Sequence, residues 1–122
     1  MPRVLVVDDE PYAVELLQEC LTAKGYEVLT ASDGEEALRK VKEERPHVIL
    51  LDVRMPKMSG LEVLRRVREM DQEVGVIMVT AVNEEETGNQ ALQMGAFDYI
   101  TKPLDFQYLE RSLWVKLQMM TL

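Results

Sequence analysis

Carboxylate, hydroxyl and ammonium side chains follow the short apolar runs of this sequence, at the points where the runs end. The pair Asp8-Asp9 follows the first run, Asp52 ends HVILLD, Thr80 ends VGVIMVT, and Lys102 follows the last run. Three carboxylates brought together repel one another, so at least one would keep its proton unless a cation compensates. Mg²⁺ takes oxygen ligands and prefers one or two carboxylates together with phosphate oxygens. These residue types therefore predict a magnesium site at Asp8, Asp9 and Asp52.

Asp52 is also the candidate nucleophile, because a carboxylate can attack phosphorus and form an aspartyl phosphate. It ends the central apolar run, where a buried strand would hold it most rigidly. Phosphoryl transfer asks a protein mainly for positioning and for stabilisation of charge. Lys102 would supply a second positive charge, and the Thr80 hydroxyl is placed to donate a hydrogen bond to a phosphoryl oxygen.

These side chains depend on elements that bring the ends of the strands together. Apolar runs alternate with helical periodicities, which predicts five strands, each followed by a helix. The predicted strands are 3–8, 27–31, 47–52, 74–80 and 97–101. Helices are predicted to start at Ser32-Asp-Gly-Glu35, Ser59-Gly-Leu-Glu62 and Asn83-Glu-Glu-Glu86. Strands one, three and four are apolar on both faces, as in a parallel sheet covered on both sides. The prediction is an α/β fold with a doubly wound five-stranded parallel sheet, in the flavodoxin-like order 2-1-3-4-5, and five helices.

Length, charge and composition limit the function classes. A chain of 122 residues, 47% of them hydrophobic, fits one globular domain. The net charge of −8 argues against direct binding to nucleic acid or to anionic membranes, which attract clustered basic residues. No apolar run has the length of a membrane helix and no signal peptide is recognised, so a cytoplasmic protein is expected. Cys20 is the only cysteine, which argues against an intrachain disulfide or a cysteine-based zinc site.

Four segments together resemble the motif regions of the bacterial two-component response-regulator receiver domain. They are VLVVDDE (4–10), LLDVRMPKMSG (50–60), MVTA (78–81) and GAFDYITKP (95–103), and the similarity covers nearly the whole chain. The Asp-x-x-Met-Pro-x-x-x-Gly run that begins at Asp52 is specific. The resemblance implies a domain that accepts a phosphoryl group from a sensor histidine kinase in a Mg²⁺-dependent reaction.

Roles in phosphoryl transfer follow from the resemblance, position by position. Asp52 matches the phosphoacceptor and is also one of the metal-binding acids. Asp9 matches the direct metal ligand, Asp8 the acid that reaches the metal through water, and the backbone carbonyl of Arg54 the third protein ligand. The resemblance implies a regulatory domain and not an enzyme, one that promotes its own phosphorylation and dephosphorylation at Asp52.

Other matches concern how the signal leaves the site. Thr80 matches the switch hydroxyl, Lys102 the phosphate-binding ammonium, and Tyr99 the aromatic that turns inward when Thr80 moves to the phosphoryl group. Family members usually have a cis peptide at the position of Lys102-Pro103. The resemblance implies that phosphorylation reshapes the face built by the fourth helix, the fifth strand and the fifth helix.

The lifetime of the phosphoryl group and the organisation of the chain are further expectations. In the family, the positions of Arg54 and Val82 influence hydrolysis, and Val82 cannot orient water, which favours slow loss. Residues 1–118 are assigned to the receiver domain, and residues 119–122 to a tail or to the start of a linker to an absent output domain. The largely apolar end, Met119-Met120-Thr121-Leu122, favours a helix cut from a longer protein or one that packs on a partner, with a frayed tail as an equal alternative. Dimerisation is left open, with the fifth helix as the candidate surface.

Three alternatives share parts of this pattern. A flavodoxin-like nucleotide or FMN binder would have the same fold, but the acidic 8–11 segment repels phosphate and no Gly-rich loop is present. A haloacid-dehalogenase-type phosphatase also uses an aspartyl phosphate and Mg²⁺, but needs an acid where Arg54 stands. An interaction module that is never phosphorylated would keep the fold, although such modules usually lose one of the acids or the lysine.

Overall fold

The computed structural model describes residues 1–81 and 83–120. Val82 and residues 121–122 lie outside the described residues, and so do the lifetime prediction for Val82 and the last two positions of the predicted tail. Along the described residues, five strands alternate with five helices. The strands are β1 Arg3–Val7, β2 Glu27–Ala31, β3 Val48–Asp52, β4 Gly75–Thr80 and β5 Asp98–Thr101. The helices are α1 Pro11–Ala23, α2 Gly34–Glu44, α3 Gly60–Met70, α4 Glu85–Gln93 and α5 Phe106–Met120.

The five strands form one parallel sheet in the order β2-β1-β3-β4-β5, which confirms the predicted doubly wound topology. Every residue of β3 and β4 is buried, because helices cover both faces of the central strands. The carboxyl ends of parallel strands share one edge of the sheet. That edge brings Asp52, the last residue of β3, close to Thr80, the last residue of β4, and to the acids that follow β1.

Two apolar clusters lie on opposite faces of the sheet and fix its position between the helices. One lies under α1 and α5, and its buried members from those helices are Leu17, Leu21, Leu109, Leu113 and Leu117. The other lies under α2, α3 and α4, and its buried members from those helices are Ala37, Val41, Val63, Leu64, Val67 and Ala91. Burying one leucine side chain contributes roughly 1.5–3 kcal/mol, so these contacts hold the strand ends rigidly.

Two helix starts differ from the prediction. Asp33, not Ser32, caps α2: its Oδ1 accepts a hydrogen bond from the Glu36 amide at 2.8 Å. The Glu36 side chain in turn accepts from the Ser32 amide at 2.7 Å, so the reciprocal arrangement exists but is shifted by one residue. Helix α4 begins at Glu85 and not at Asn83, which has the left-handed φ of 74° and therefore cannot continue a right-handed helix.

The last helix extends beyond the predicted domain boundary. Helix α5 ends at Met120, so a division after residue 118 falls inside a continuous helix. In the described part of the chain, none of the helices combines the length and the apolar character needed to cross a membrane.

Candidate functional site

Three carboxylates meet at the carboxyl edge of the sheet. Asp8 and Asp9 follow β1 and Asp52 ends β3, and one carboxylate oxygen of each lies within 4.8 Å of the others. Asp8 and Asp52 are only 5% and 7% exposed, whereas Asp9 is exposed. The sequence predicted this group from the strand ends alone. The geometry gives a site with two buried acids and one acid open to solvent.

Asp8 is held in a fixed orientation, and its pKa reflects the repulsion between the clustered carboxylates. Its Oδ1 accepts a hydrogen bond from the Glu10 amide at 2.9 Å. Burial raises the pKa of Asp8 above its ordinary value, and the neighbouring Asp52 charge raises it further, against the opposing effects of the Glu10 amide and Lys102. The cluster therefore favours either a proton on Asp8 or a nearby cation.

Lys102 provides positive charge at the buried end of the site. Its Nζ lies 3.3 Å from Oδ2 of Asp52 and 4.0 Å from Oδ2 of Asp8. Because the lysine side chain is 44% exposed, its ammonium keeps part of its hydration and can change partners. The Lys102-Pro103 peptide bond is cis, the geometry that the resemblance implied.

Backbone contacts fix the position of Asp52. The Arg54 amide donates to Oδ1 of Asp52 at 3.2 Å, so both carboxylate oxygens have a donor. Gly60, at the start of α3, packs on the backbone of the same segment, and a β-carbon placed there would lie 2.8 Å from Cα of Val53. The Gly60 amide also donates to the carbonyl of Val53 at 2.8 Å. Glycine is needed at position 60 because the first turn of α3 approaches the strand end closely.

Thr80 carries a buried hydroxyl whose hydrogen-bonding capacity is unused. The residue is fully buried at the end of β4, and its Oγ1 has no hydrogen-bond partner within the described ranges. Buried hydroxyls are normally satisfied, because an unpaired one costs roughly 1–3 kcal/mol. The hydroxyl is therefore a donor available to a group that enters the site.

Tyr99 lies on the same side of the sheet as Thr80. In the β4–β5 register Tyr99 pairs with Met78, two residues before Thr80, and residues two apart on a strand point to the same face. The ring is partly buried against the apolar cluster under α2, α3 and α4. The fold thus brings the two predicted switch residues to one face, next to α4.

An ion pair that the sequence did not predict bridges the mouth of the site. The guanidinium of Arg54 contacts the carboxylate of Glu84, which precedes α4. The Arg54 side chain is 77% exposed and that of Glu84 only 15%. In the sequence, Glu84 belongs only to the Asn83-Glu-Glu-Glu86 segment predicted to start a helix. The pair connects the loop after Asp52 with the start of α4.

Comparison with known families decides how this site is interpreted. The sequence profile of the family described as “Response regulator receiver domain” matches residues 4–113. The chain belongs to this family. As a receiver domain it is the phosphoacceptor module of a two-component response regulator. The family match argues against the flavin-binding and haloacid-dehalogenase alternatives.

Named relatives and a solved structure are similar over most of the receiver domain. The alkaline phosphatase synthesis transcriptional regulatory protein PhoP of Bacillus subtilis (strain 168) is 48% identical over 101 residues, which cover 83% of this chain and 42% of that protein. The regulatory protein AtoC of Escherichia coli (strain K12) is 37% identical over 120 residues, covering 98% and 26%. The crystal structure of a response regulator receiver domain protein from Clostridium thermocellum has a TM-score of 0.96 at 31% identity, covering 99% of this chain and 98% of that one. The chain thus spans less than half the length of these two curated relatives.

The residues of the site fit a hard divalent cation next to a phosphoryl group. The acid cluster offers only oxygen ligands, which suits Mg²⁺ and not a soft metal. The exposed side of the cluster, at Asp9, leaves room for water ligands, which Mg²⁺ usually keeps. The unpaired hydroxyl of Thr80 and the ammonium of Lys102 add a donor and a positive charge for phosphoryl oxygens.

Proposed function

We propose that the chain takes a phosphoryl group from a sensor histidine kinase onto Asp52 in a Mg²⁺-dependent reaction. The observation that supports this most is the buried Asp52 carboxylate, held by the Arg54 amide and Lys102 beside two further acids. A buried acid with fixed oxygens is positioned for attack, and rigid positioning is the main demand of phosphoryl transfer.

The transfer step uses residues of the site, the phosphoryl donor and a bound Mg²⁺ ion. An oxygen of Asp52 forms a bond to phosphorus while the bond between phosphorus and the donor's histidine nitrogen breaks. The leaving nitrogen keeps the electron pair and takes a proton from solvent, which gives a neutral imidazole on the donor. Lys102 moves from the Asp52 carboxylate to the phosphoryl oxygens and stabilises the charge they carry.

Asp8, Asp9 and Asp52 would hold the Mg²⁺ ion, together with the backbone carbonyl of Arg54. When bound, the ion supplies positive charge to the phosphoryl oxygens and relieves the repulsion among the acids. Asp9 would be the direct ligand and Asp8 the acid that acts through water. Asp8 is already held by the Glu10 amide, which fits a residue that orients a ligand instead of moving with it.

Asp9→Ala should weaken Mg²⁺ binding about tenfold or more, because a direct carboxylate ligand is lost. The dissociation constant is measured from amide chemical shifts during a magnesium titration. Glu15→Ala is the matched control, since Glu15 is an exposed acid on α1 and its removal changes the net charge equally. Equal affinities for the two variants would contradict the assignment of Asp9 as a ligand.

Phosphorylation would change the face formed by α4, β5 and α5. The phosphoryl group adds roughly 1.5–2 negative charges at neutral pH and three acceptor oxygens. The unpaired Thr80 hydroxyl would donate to one of them, and Tyr99 would then turn into the space that Thr80 leaves. A receiver that samples both arrangements beforehand needs only a shift in population.

The remaining assignments extend the same proposal. We assign residues 1–118 to the receiver domain and residues 119–122 to a tail or the start of a linker, with the boundary inside the last turn of α5. An output domain in a longer chain would receive the signal. Support comes from PhoP and AtoC, which are named as regulatory proteins. Each is more than twice as long as the region matched by this chain. The receiver would also promote loss of its own phosphoryl group. A cytoplasmic location, where a sensor kinase would reach the chain, is part of the proposal, and a homodimer through α5 is an option within it.

The decisive experiment is incubation with acetyl phosphate and Mg²⁺, followed by intact-protein mass spectrometry. The wild-type protein should gain one adduct of about 80 Da, the mass of a phosphoryl group. Asp52→Asn should gain none under the same conditions, and omission of Mg²⁺ should suppress the adduct on the wild type. A wild-type protein without an adduct would instead support the alternative of an interaction module that is never phosphorylated.

A further inference from the structure

The ring of Tyr99 lies directly on the backbone of α4 at Gly88. A β-carbon placed on Gly88 would lie 2.5 Å from Cδ2 of Tyr99 and 2.7 Å from both Cε2 and Cγ. Real β-carbons essentially never approach other atoms this closely. Gly88 is buried inside a nine-residue helix, so neither a turn nor a positive φ explains a glycine there. The contact with the ring does explain it.

Glycine at this position weakens the helix that carries it. A glycine in a helix interior is markedly less favourable than alanine, and α4 also lacks a side-chain cap at its start. Both features make α4 a weakly stabilised helix. The packing of Tyr99 on Gly88 therefore depends on the absence of a side chain in a helix that has little other local support.

Thr80 lies on the same face of the sheet as the Tyr99 ring. Thr80 lies two positions beyond Met78, the register partner of Tyr99, and its side chain points to the same layer. A Tyr99 ring that leaves Gly88 can therefore turn toward Thr80 without crossing the sheet. The neighbouring Asp98 points to the other face, where its carboxylate accepts hydrogen bonds from the hydroxyls of Tyr108 and Ser112 on α5.

We propose that Gly88 is a positioning residue of the switch: its missing side chain provides the resting site of the Tyr99 ring and so sets the balance between the two arrangements. The inference rests on the proposed roles of Thr80 and Tyr99. It adds a residue on α4 to those roles and explains how that helix takes part in them. A side chain at position 88 would displace the ring from its resting site and favour the arrangement turned toward Thr80.

Two-dimensional NMR of the wild-type protein provides a first test that needs no substitution. A ring stacked on Gly88 should move its α-protons upfield of the ordinary glycine range. Saturation with beryllofluoride and Mg²⁺, a mimic of the phosphoryl group, should return them toward that range as the ring leaves. Beryllofluoride binding without any change at the Gly88 α-protons would overturn the inference. No beryllofluoride binding by the wild type would instead contradict the proposed function.

Substitution tests the direction of the effect. Gly88→Ala should bind beryllofluoride at least about threefold more tightly than the wild type, because the binding-competent arrangement is populated beforehand. Asn89→Ala is the matched control, since it places alanine one position on at an exposed site of the same helix, and its affinity should stay within about twofold of the wild type. Unchanged or weaker binding by Gly88→Ala, or an equal gain in Asn89→Ala, would overturn the inference.

A double variant separates the ring contact from the general stiffening of α4. In a Tyr99→Leu background the large aromatic ring is absent, so adding Gly88→Ala should no longer change the affinity for beryllofluoride. A gain that persists without the ring would overturn the inference, because it would belong to helix stability alone.

Discussion

Asp52→Asn should make the protein more stable in metal-free buffer at pH 7, by about 1–2 kcal/mol. Replacing a buried polar residue usually destabilises a protein, but here the substitution removes one of two negative charges that are almost fully buried side by side. The pKa of Asp8 is raised by burial and then by the Asp52 charge, so ionised Asp8 is disfavoured beside Asp52. Lys102 loses a partner without a large cost, because its side chain is 44% exposed and stays hydrated.

The gain should depend on pH in a defined direction. A carboxyl whose pKa is raised by folding contributes stability that is fully present below its ordinary value of 3.8 and is lost as the pH rises through its folded value. The wild-type protein therefore loses this contribution on going to neutral pH. The variant loses less, since Asp8 then ionises without Asp52 beside it. The difference in unfolding free energy should be largest near pH 7 and shrink as the pH falls toward 3.8.

Urea unfolding in a chelating buffer measures both effects. Asp9→Asn is the matched control: it removes a charge from the same cluster, but Asp9 is exposed, so its gain should be smaller. Saturating Mg²⁺ should stabilise the wild type more than Asp52→Asn, because only the wild type retains all three acids. Destabilisation of the metal-free protein by Asp52→Asn at neutral pH would show that the acids do not repel one another in the folded chain.

The sheet and the positions of the site residues were predictable because they depend on strong, local patterns. Five apolar runs, three of them without a polar face, leave a covered parallel sheet as the consistent solution. Parallel topology then brings the strand ends to one edge, so Asp8 and Asp52 could be placed together before any distance was known. The core that enforces this is large compared with the cost of gathering the acids, which explains why the repelling charges are tolerated.

Helix starts were less predictable because neighbouring polar residues compete for the same role. Ser59 caps α3 as expected, and its hydroxyl accepts from the Glu62 amide at 3.3 Å. At α2, Ser32 and Asp33 are both good capping residues that differ by a fraction of a kcal/mol, and the structure uses Asp33. Such a difference is smaller than the energy of packing the helix, so tertiary contacts decide the choice.

Contacts between distant segments were beyond the sequence. Arg54 and Glu84 meet only because the loop after β3 and the start of α4 lie on the same edge. Gly88 lies inside a helix, where glycine is unfavourable, and nothing in the sequence pattern indicates that Tyr99 lies on it. Both contacts involve α4, the helix with the weakest local signals. A glycine inside a helix without a local reason marks position 88 as unusual, but it does not indicate the residue that packs on it.

Lys102→Ala should slow phosphorylation of Asp52 by acetyl phosphate about 100-fold, the lower end of what the loss of one charge-stabilising group costs. The lower end applies because Lys102 is partly hydrated. Intact-protein mass spectrometry over time gives the rate. Lys42→Ala, which removes an exposed lysine from α2, is the control and should keep the wild-type rate.

The affinity for Mg²⁺, unlike the phosphorylation rate, should not fall in Lys102→Ala. The Lys102 ammonium lies 3.3 Å from Asp52 and 4.0 Å from Asp8, so it competes with a cation for both carboxylates. Removing it leaves all three acids in place and takes away a like charge, so Lys102→Ala should bind Mg²⁺ as tightly as the wild type or more tightly. Slow phosphorylation with intact magnesium binding would assign Lys102 to the phosphoryl group. If the two properties fell together, the lysine would instead be maintaining the geometry of the acids, and its proposed movement to the phosphoryl oxygens would be wrong.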